Sequence, residues 1–171
     1  MKKSVRGFTL VELLIVIAII AILAVIVSVV INPIEIMKQG RDSDRLAAMA
    51  SLQQAINVAA QEATSSGEAI LCFGTTAPCN GISSPLGDNT RNSDGTGWVL
   101  VNLSGQKTVS MPVLPIDQVN NTTYNYTYNS DGTGWEINAV LESEKYSGKM
   151  TDDGGDNPAK YEVGSSLKLV Q

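Results

Sequence analysis

The chain has 171 residues, 12 Lys and Arg against 17 Asp and Glu for a formal net charge of −5, and no histidine. Without histidine there is no Ser-His-Asp or Cys-His catalysis and no imidazole ligand for zinc. With no Walker-type glycine loop, dinucleotide fingerprint or Cys-x-x-Cys either, the sequence reads as a non-enzyme without a cofactor, and its acidic balance argues against a nucleic-acid partner, whose phosphates are met mainly by Lys and Arg.

The first element is a basic leader, Lys2, Lys3 and Arg6, ahead of an apolar run from Phe8 to Ile31 in which only Thr9, Glu12 and Ser28 are not apolar. At ~1.5 Å per residue, a helix over that run exceeds the ~30 Å hydrocarbon core of a bilayer. The positive-inside rule keeps the leader in the cytoplasm and sends the rest of the chain outward. A cleaved secretory signal has a shorter apolar region, about 7–15 residues, and ends at a small-x-small site. Here the run is longer, and Val27 to Asn32 offers no such site. A plain signal anchor would explain length and orientation but not Glu12. A carboxylate in hydrocarbon is costly and is read as functional, with a partner to be named; the bland alternative is a stray acid reaching the headgroups.

The stretch Gly7-Phe8-Thr9-Leu10-Val11-Glu12-Leu13-Leu14, behind a short basic leader, resembles the N-terminus of type IV pilins and type II secretion pseudopilins. The resemblance implies cleavage between Gly7 and Phe8 by a membrane prepilin peptidase, then N-methylation of Phe8. The new ammonium at Phe8 would lie one helical turn before Glu12 and supply its partner, within a chain or between neighbours in a filament. Desolvation offsets much of that attraction, so its consequence is registry: an unpaired buried carboxylate is penalised, and the stagger that brings an amine to Glu12 is selected. Many members of the family carry a glycine or proline inside the apolar run. Here the first breakers are Pro33 and Gly40, so a kink is expected near Asn32-Pro33.

Beyond Pro33 the pattern is a second, amphipathic helical length. Leu46, Met49, Leu52, Ile56, Ala59 and Ala63 recur at helical spacing and form a stripe that packs against the domain that follows. Lys38 with Asp42, or Asp42 with Arg45, are expected as exposed pairs on another face. Thr64-Ser65-Ser66-Gly67 ends the helix.

From there the texture changes to short strands and glycine-rich turns. Cys72 and Cys79 enclose a short loop in a segment expected outside the membrane, where a disulfide forms readily; two reduced thiols are the alternative. NSDGTGW occurs twice, at Asn92–Trp98 and Asn129–Trp135, and reads as a reused turn entering a strand rather than a binding repeat. Tyr124, Tyr126 and Tyr128 alternate with polar residues, and Trp135, Ile137, Ala139 and Leu141 share one face, which predicts a hairpin with one buried side. This hairpin, with the preceding Leu114-Pro115-Ile116-Asp117, also resembles the head of pilin-like proteins. Asp152, Asp153 and Asp156 crowd a glycine-containing loop whose hard oxygens suit calcium, and the major pseudopilins carry a calcium-stabilised loop near the C-terminus. A solvated turn explains the same residues, and the spacing is not that of an EF-hand. Lys160 to Val170 reads as a last strand pairing onto the hairpin.

These readings combine into an α+β chain: a long N-terminal helix, half membrane and half amphipathic, packed on a small antiparallel β-sheet head, pilin-like. The boundaries are a cleaved leader at 1–7, a transmembrane or filament-core helix at 8–32, an amphipathic helix at 33–66 and a β-rich extracytoplasmic head at 67–171. The resemblance implies a structural subunit of a type IV pilus or pilus-like filament. It would lie first in the inner membrane as a single-pass protein with its N-terminus cytoplasmic, and then in a surface filament or periplasmic pseudopilus. The implied partners are identical or related pilin subunits, the prepilin peptidase, the inner-membrane assembly platform and the membrane. A pseudopilin of a type II secretion system is the alternative within the family; a monomeric membrane-anchored surface binding protein is the alternative from another class. A DNA-uptake pilin would need a basic head patch, for which Lys145, Lys149 and Lys160 are the candidates.

Overall fold

A computed structural model of the chain describes residues 7–30, 32–63, 70–108 and 111–169. The basic leader residues Lys2, Lys3 and Arg6, the helix-ending Thr64-Ser65-Ser66-Gly67 and the final Val170 of the expected last strand lie outside them. The fold is α+β and pilin-like: a long apolar N-terminal helix, a second helix, and a four-stranded antiparallel sheet. Its contacts divide it into two units, Met1–Met37 and Lys38–Gln171.

In the first unit, α1 runs over Leu10–Val30, and within the described residues its Leu10–Val27 segment is long and apolar enough to cross a membrane, with none of that window buried. Its large side chains stand in the open, from Leu10 at 79% exposure down to Val16 at 45%. Helix α2 spans Pro33–Glu62. The break expected near Asn32-Pro33 is present, and its chemistry is a helix start. Asn32 Oδ1 accepts from the N–H groups of Ile34 at 3.2 Å and Glu35 at 3.3 Å. Pro33 occupies the first helical position, where a missing N–H costs nothing.

In the second unit the sheet has the order β1 (Cys79–Ile82), β2 (Thr127–Ser130), β3 (Trp135–Ala139), β4 (Tyr161–Gly164). All neighbours are antiparallel, with Tyr128 opposite Ile137 and Ile137 opposite Val163. That row packs with Met49, Leu52, Ala55, Ile56 and Ala59 of α2 in one core, which Trp98, Val99, Val101, Leu103 and Leu114 complete from the long connection between β1 and β2. The stripe read from the sequence is thus the helix face that meets the sheet, with Leu46 and Ala63 partly buried at its ends. Each such buried aliphatic side chain contributes about 1.5–3 kcal/mol, and truncating Leu52 to alanine would cost about 2–5 kcal/mol. Between β3 and β4 lie two single-turn helices, α3 (Glu144–Ser147) and α4 (Lys149–Asp152).

Two expectations need correction. The hairpin was expected to bury one face, but every residue of β3 is buried, Glu136 and Asn138 included. The segment after β4 folds back over the outer face, and the Leu169 N–H bonds Glu136 Oε2 at 2.8 Å. Asp42 and Arg45 were expected as an exposed pair; both are buried, at 0% and 1% exposure. They lie on the apolar stripe itself, which read backward from Met49 continues at positions 45 and 42 with the same spacing.

Candidate assembly site

Thr9 and Glu12 form a reciprocal box at the start of α1. Glu12 Oε2 accepts from the Thr9 N–H at 2.9 Å and from Thr9 Oγ1 at 2.7 Å, while Thr9 Oγ1 accepts from the Glu12 N–H at 3.2 Å. The Leu13 N–H closes the first turn on the Thr9 carbonyl at 3.2 Å. This is a capping box: a threonine at the N-cap and a glutamate three residues on satisfy donors that a helix start leaves unpaired. The Thr-x-x-Glu spacing is legible in the sequence, and it gives Glu12 a partner within the chain, Thr9, that differs from the Phe8 amine which the resemblance implies. Gly7 and Phe8 precede the helix and are exposed, Phe8 at 83%. Among the described residues, a Cβ at Gly7 would meet nothing within 4 Å. The chain's own packing therefore makes no demand for glycine there.

The head holds a buried charge network that the sequence pattern did not reveal. The Arg45 guanidinium forks onto Asp117, Nε to Oδ2 at 2.5 Å and Nη2 to Oδ1 at 3.0 Å. Its Nη1 reaches Asp42 Oδ1 and Glu142 Oε1, both at 2.8 Å. Arg41 makes a second fork onto Glu142, at 2.6 and 2.8 Å. Asp42 also accepts from the N–H groups of Glu142 and Ser143 and from the Ser143 hydroxyl. The Tyr124 ring lies 4.8 Å from the Arg45 guanidinium carbon. Burial works against the charged form of Arg45, yet its bonds to Asp117 and Asp42 outweigh this and hold it more firmly protonated than usual. The bond from Arg41 keeps the Glu142 carboxyl below its ordinary range, against the opposing effect of burial. Bidentate charged bonds of this kind fix geometry as well as sign. Together they tie α2 to the connection before β2 and to the segment after β3.

Elsewhere in the head, Cys72 and Cys79 are joined, Sγ to Sγ at 2.03 Å. The two copies of NSDGTGW build matching turns: Asp94 Oδ1 accepts from the Thr96 N–H and hydroxyl, and Asp131 Oδ1 from the Thr133 N–H and hydroxyl. Gly95 and Gly132 supply the left-handed φ of 93° and 86° that follow each aspartate.

Of the calcium candidates, Asp152 and Asp156 are exposed, and Asp153 is half-buried with its oxygens on the N–H groups of Gly155 at 2.9 Å and Glu162 at 2.7 Å. Among the described residues no three Asp, Glu, Cys or His side chains converge as a metal site would require. Beside Asp153, burial together with neighbouring Glu136 pushes the Glu162 carboxyl up to about 7. Lys145 and Lys149 are exposed on α3 and α4, and Lys160 is partly buried just before β4.

Residues 2–28 match the prokaryotic N-terminal methylation motif. No curated protein and no solved structure matches the chain. The motif is the one that type IV pilins and pseudopilins share, and it supports a pilin-like class for the chain. It implies processing by a prepilin peptidase, and its apolar helix agrees with anchoring in a membrane.

Proposed function

We propose that this chain is a structural subunit of a type IV pilus or pilus-like filament, assembled from the inner membrane through α1. One observation carries the reading: an unburied apolar helix of bilayer length opens on the Thr9–Glu12 box, directly after an exposed Gly7–Phe8 bond, inside the matched motif. An apolar surface of this extent needs lipid or other subunits to cover it. Lipid covers it in the membrane, and the α1 helices of neighbouring subunits cover it in a filament.

On this reading the prepilin peptidase cuts between Gly7 and Phe8, and the new amine at Phe8 is methylated. Gly7 is then required by the peptidase, which accounts for a glycine that nothing in the described chain crowds. Glu12 has two partners in succession. In the single subunit its carboxylate rests on Thr9, which lowers the cost of holding an acid at the membrane edge. In the filament it turns to the Phe8 ammonium of a neighbour and sets the stagger. The head faces outward, where an oxidising compartment suits the Cys72–Cys79 disulfide.

The test is shearing and sedimentation of surface filaments from the native cells, probed for the head. Recovery of the chain in sheared filaments supports a shaft subunit. Its retention in the membrane pellet favours the second reading, a type II secretion pseudopilin.

A further inference from the structure

Strands β3 and β4 place two acids on the outer face of the sheet, away from the helix-packed core. Glu136 stands opposite Gly164 and Glu162 opposite Asn138, so the two are diagonal neighbours, within reach of each other as long side chains. Both are buried, at 0% and 2% exposure, and among the described residues the Oε1 atom of each lacks a donor. Two buried acceptors side by side without a donor are costly. One proton held between them satisfies both, and a hydrogen bond joins the two side chains.

The other oxygen of each acid holds a different segment. Glu136 Oε2 accepts from the Leu169 N–H at 2.8 Å, and Glu162 Oε2 from the Asn157 N–H at 3.1 Å. Leu169 belongs to the stretch after β4, which starts with the Ser165 and Ser166 N–H groups on the Trp135 carbonyl. None of residues 165–169 is fully buried. Asn157 belongs to the loop between α4 and β4, where Gly155 lies so close over Glu162 that a Cβ there would meet Oε2.

The surroundings bring no cation onto the pair. On β2, Asn129 stands opposite Glu136 and is uncharged. A cavity of about 450 Å³ alongside is lined by Gln53, Lys149, Asp152, Asp153, Tyr161 and Glu162, among others. Asp153 Oδ2 accepts from the Glu162 N–H at 2.7 Å, and Lys168 is exposed beside Leu169. Among the described residues no Lys or Arg pairs with either acid. We propose that Glu136 and Glu162 form a proton-operated clasp: with the shared proton in place they hold the 154–157 loop and the 165–169 strap on the sheet, and when that proton passes to water the two carboxylates repel and both segments come away. Burial, with Glu136 beside it, raises the Glu162 carboxyl from 4.5 to about 7. The clasp is therefore closed in acid and opens as pH rises through neutrality. The strands stay paired, since Tyr128, Ile137 and Val163 are held in the core on the inner face. The clasp belongs to the head and stands independently of the filament reading.

The test is hydrogen exchange followed by mass spectrometry on the full chain in detergent, with EDTA present so that no bound cation contributes. Rates are converted to protection factors, which removes the intrinsic pH dependence of exchange. Between pH 6 and pH 8, peptides covering 154–157 and 165–169 should lose about tenfold in protection, the change for one pH unit above the carboxyl's value. Peptides from β2 and β3 should keep theirs. Glu162→Gln, whose amide donates to Glu136 at either pH, should hold both segments equally at the two values. Unchanged protection of the two segments in the parent chain overturns the proposal. So does a loss spread evenly over the head, or one that persists in Glu162→Gln. Glu136→Gln should behave in the same way and decides the matter if the first variant does not fold.

Discussion

The Glu12 carboxylate is held by Thr9 through two hydrogen bonds, at 2.9 Å from the backbone N–H and 2.7 Å from the hydroxyl. An acid at the mouth of a bilayer-length helix is therefore not an orphan in the single chain. The same box that begins the helix also keeps the carboxylate bonded within the single chain. On the proposed reading cap and registry are successive states of one side chain, and variants at the two positions separate them.

Glu12→Val removes both roles, and filament incorporation should fall by an order of magnitude or more while the membrane-bound pool is unchanged. Thr9→Val removes the side-chain cap but leaves the carboxylate free for an intersubunit amine, so incorporation should fall only a few-fold. Quantifying the chain in sheared and membrane fractions checks both. Equal defects in the two variants would make Glu12 a capping residue and nothing more.

The Arg45 network predicts an all-or-nothing response in the head. Arg45→Met leaves the Asp117 and Asp42 carboxylates buried without their cation, and stability should drop by about 3–5 kcal/mol, read as a shift in the urea midpoint. Arg45→Lys should recover only a minority of this, because an ammonium cannot reproduce the fork onto Asp117. Full recovery by lysine would show that charge matters here and geometry does not.

Acid and alkali should each weaken the head, through different carboxyls. Glu142 is held below its ordinary range by Arg41; its contribution is present above the usual carboxylate pKa and is lost as pH falls through the lowered value. Glu162 is raised from 4.5 to about 7. Between those values the folded head binds more protons than the unfolded chain, so stability declines as pH rises through about 7. Glu136→Gln, which removes the neighbouring charge, should flatten that decline in melting temperatures taken across pH 5 to 8. A parent chain equally stable at both ends of that range would contradict the assignment.

Reduction tests the loop between β1 and the residues before it. Cys72 and Cys79 are seven residues apart and buried, and opening so short a loop should cost about 2–3 kcal/mol by the chain-entropy account. Unfolding with and without dithiothreitol measures it. The doubly substituted Cys72→Ala, Cys79→Ala chain should match the reduced protein and be indifferent to reductant.

Local pattern was enough to read the α2 stripe, the Asp-Gly turns and the hairpin at Ser130 and Trp135, because each is decided by residues close in sequence. What could not be read locally has distant partners. Asp42 and Arg45 look like a surface pair until Asp117, 72 residues beyond Arg45, and Glu142 are folded onto them. Their place on the apolar stripe was the available signal, since a charge at a core position requires a partner. Glu136 and Asn138 alternate with apolar residues as an open-faced strand would, yet both are buried, and the fold-back that sets the Leu169 N–H on Glu136 comes from 33 residues further along the chain. The Thr9–Glu12 box was fully legible, as a spacing hidden in an apolar context.

The most direct measurement is mass spectrometry of the N-terminal peptide of this chain in filaments sheared from the native cells. The account predicts a terminus at methylated Phe8, with Gly7 and everything before it removed. A filament-borne or membrane-borne chain that still begins at Met1 would contradict it, because Glu12 would then have no terminal amine to find and Thr9 would be its partner throughout.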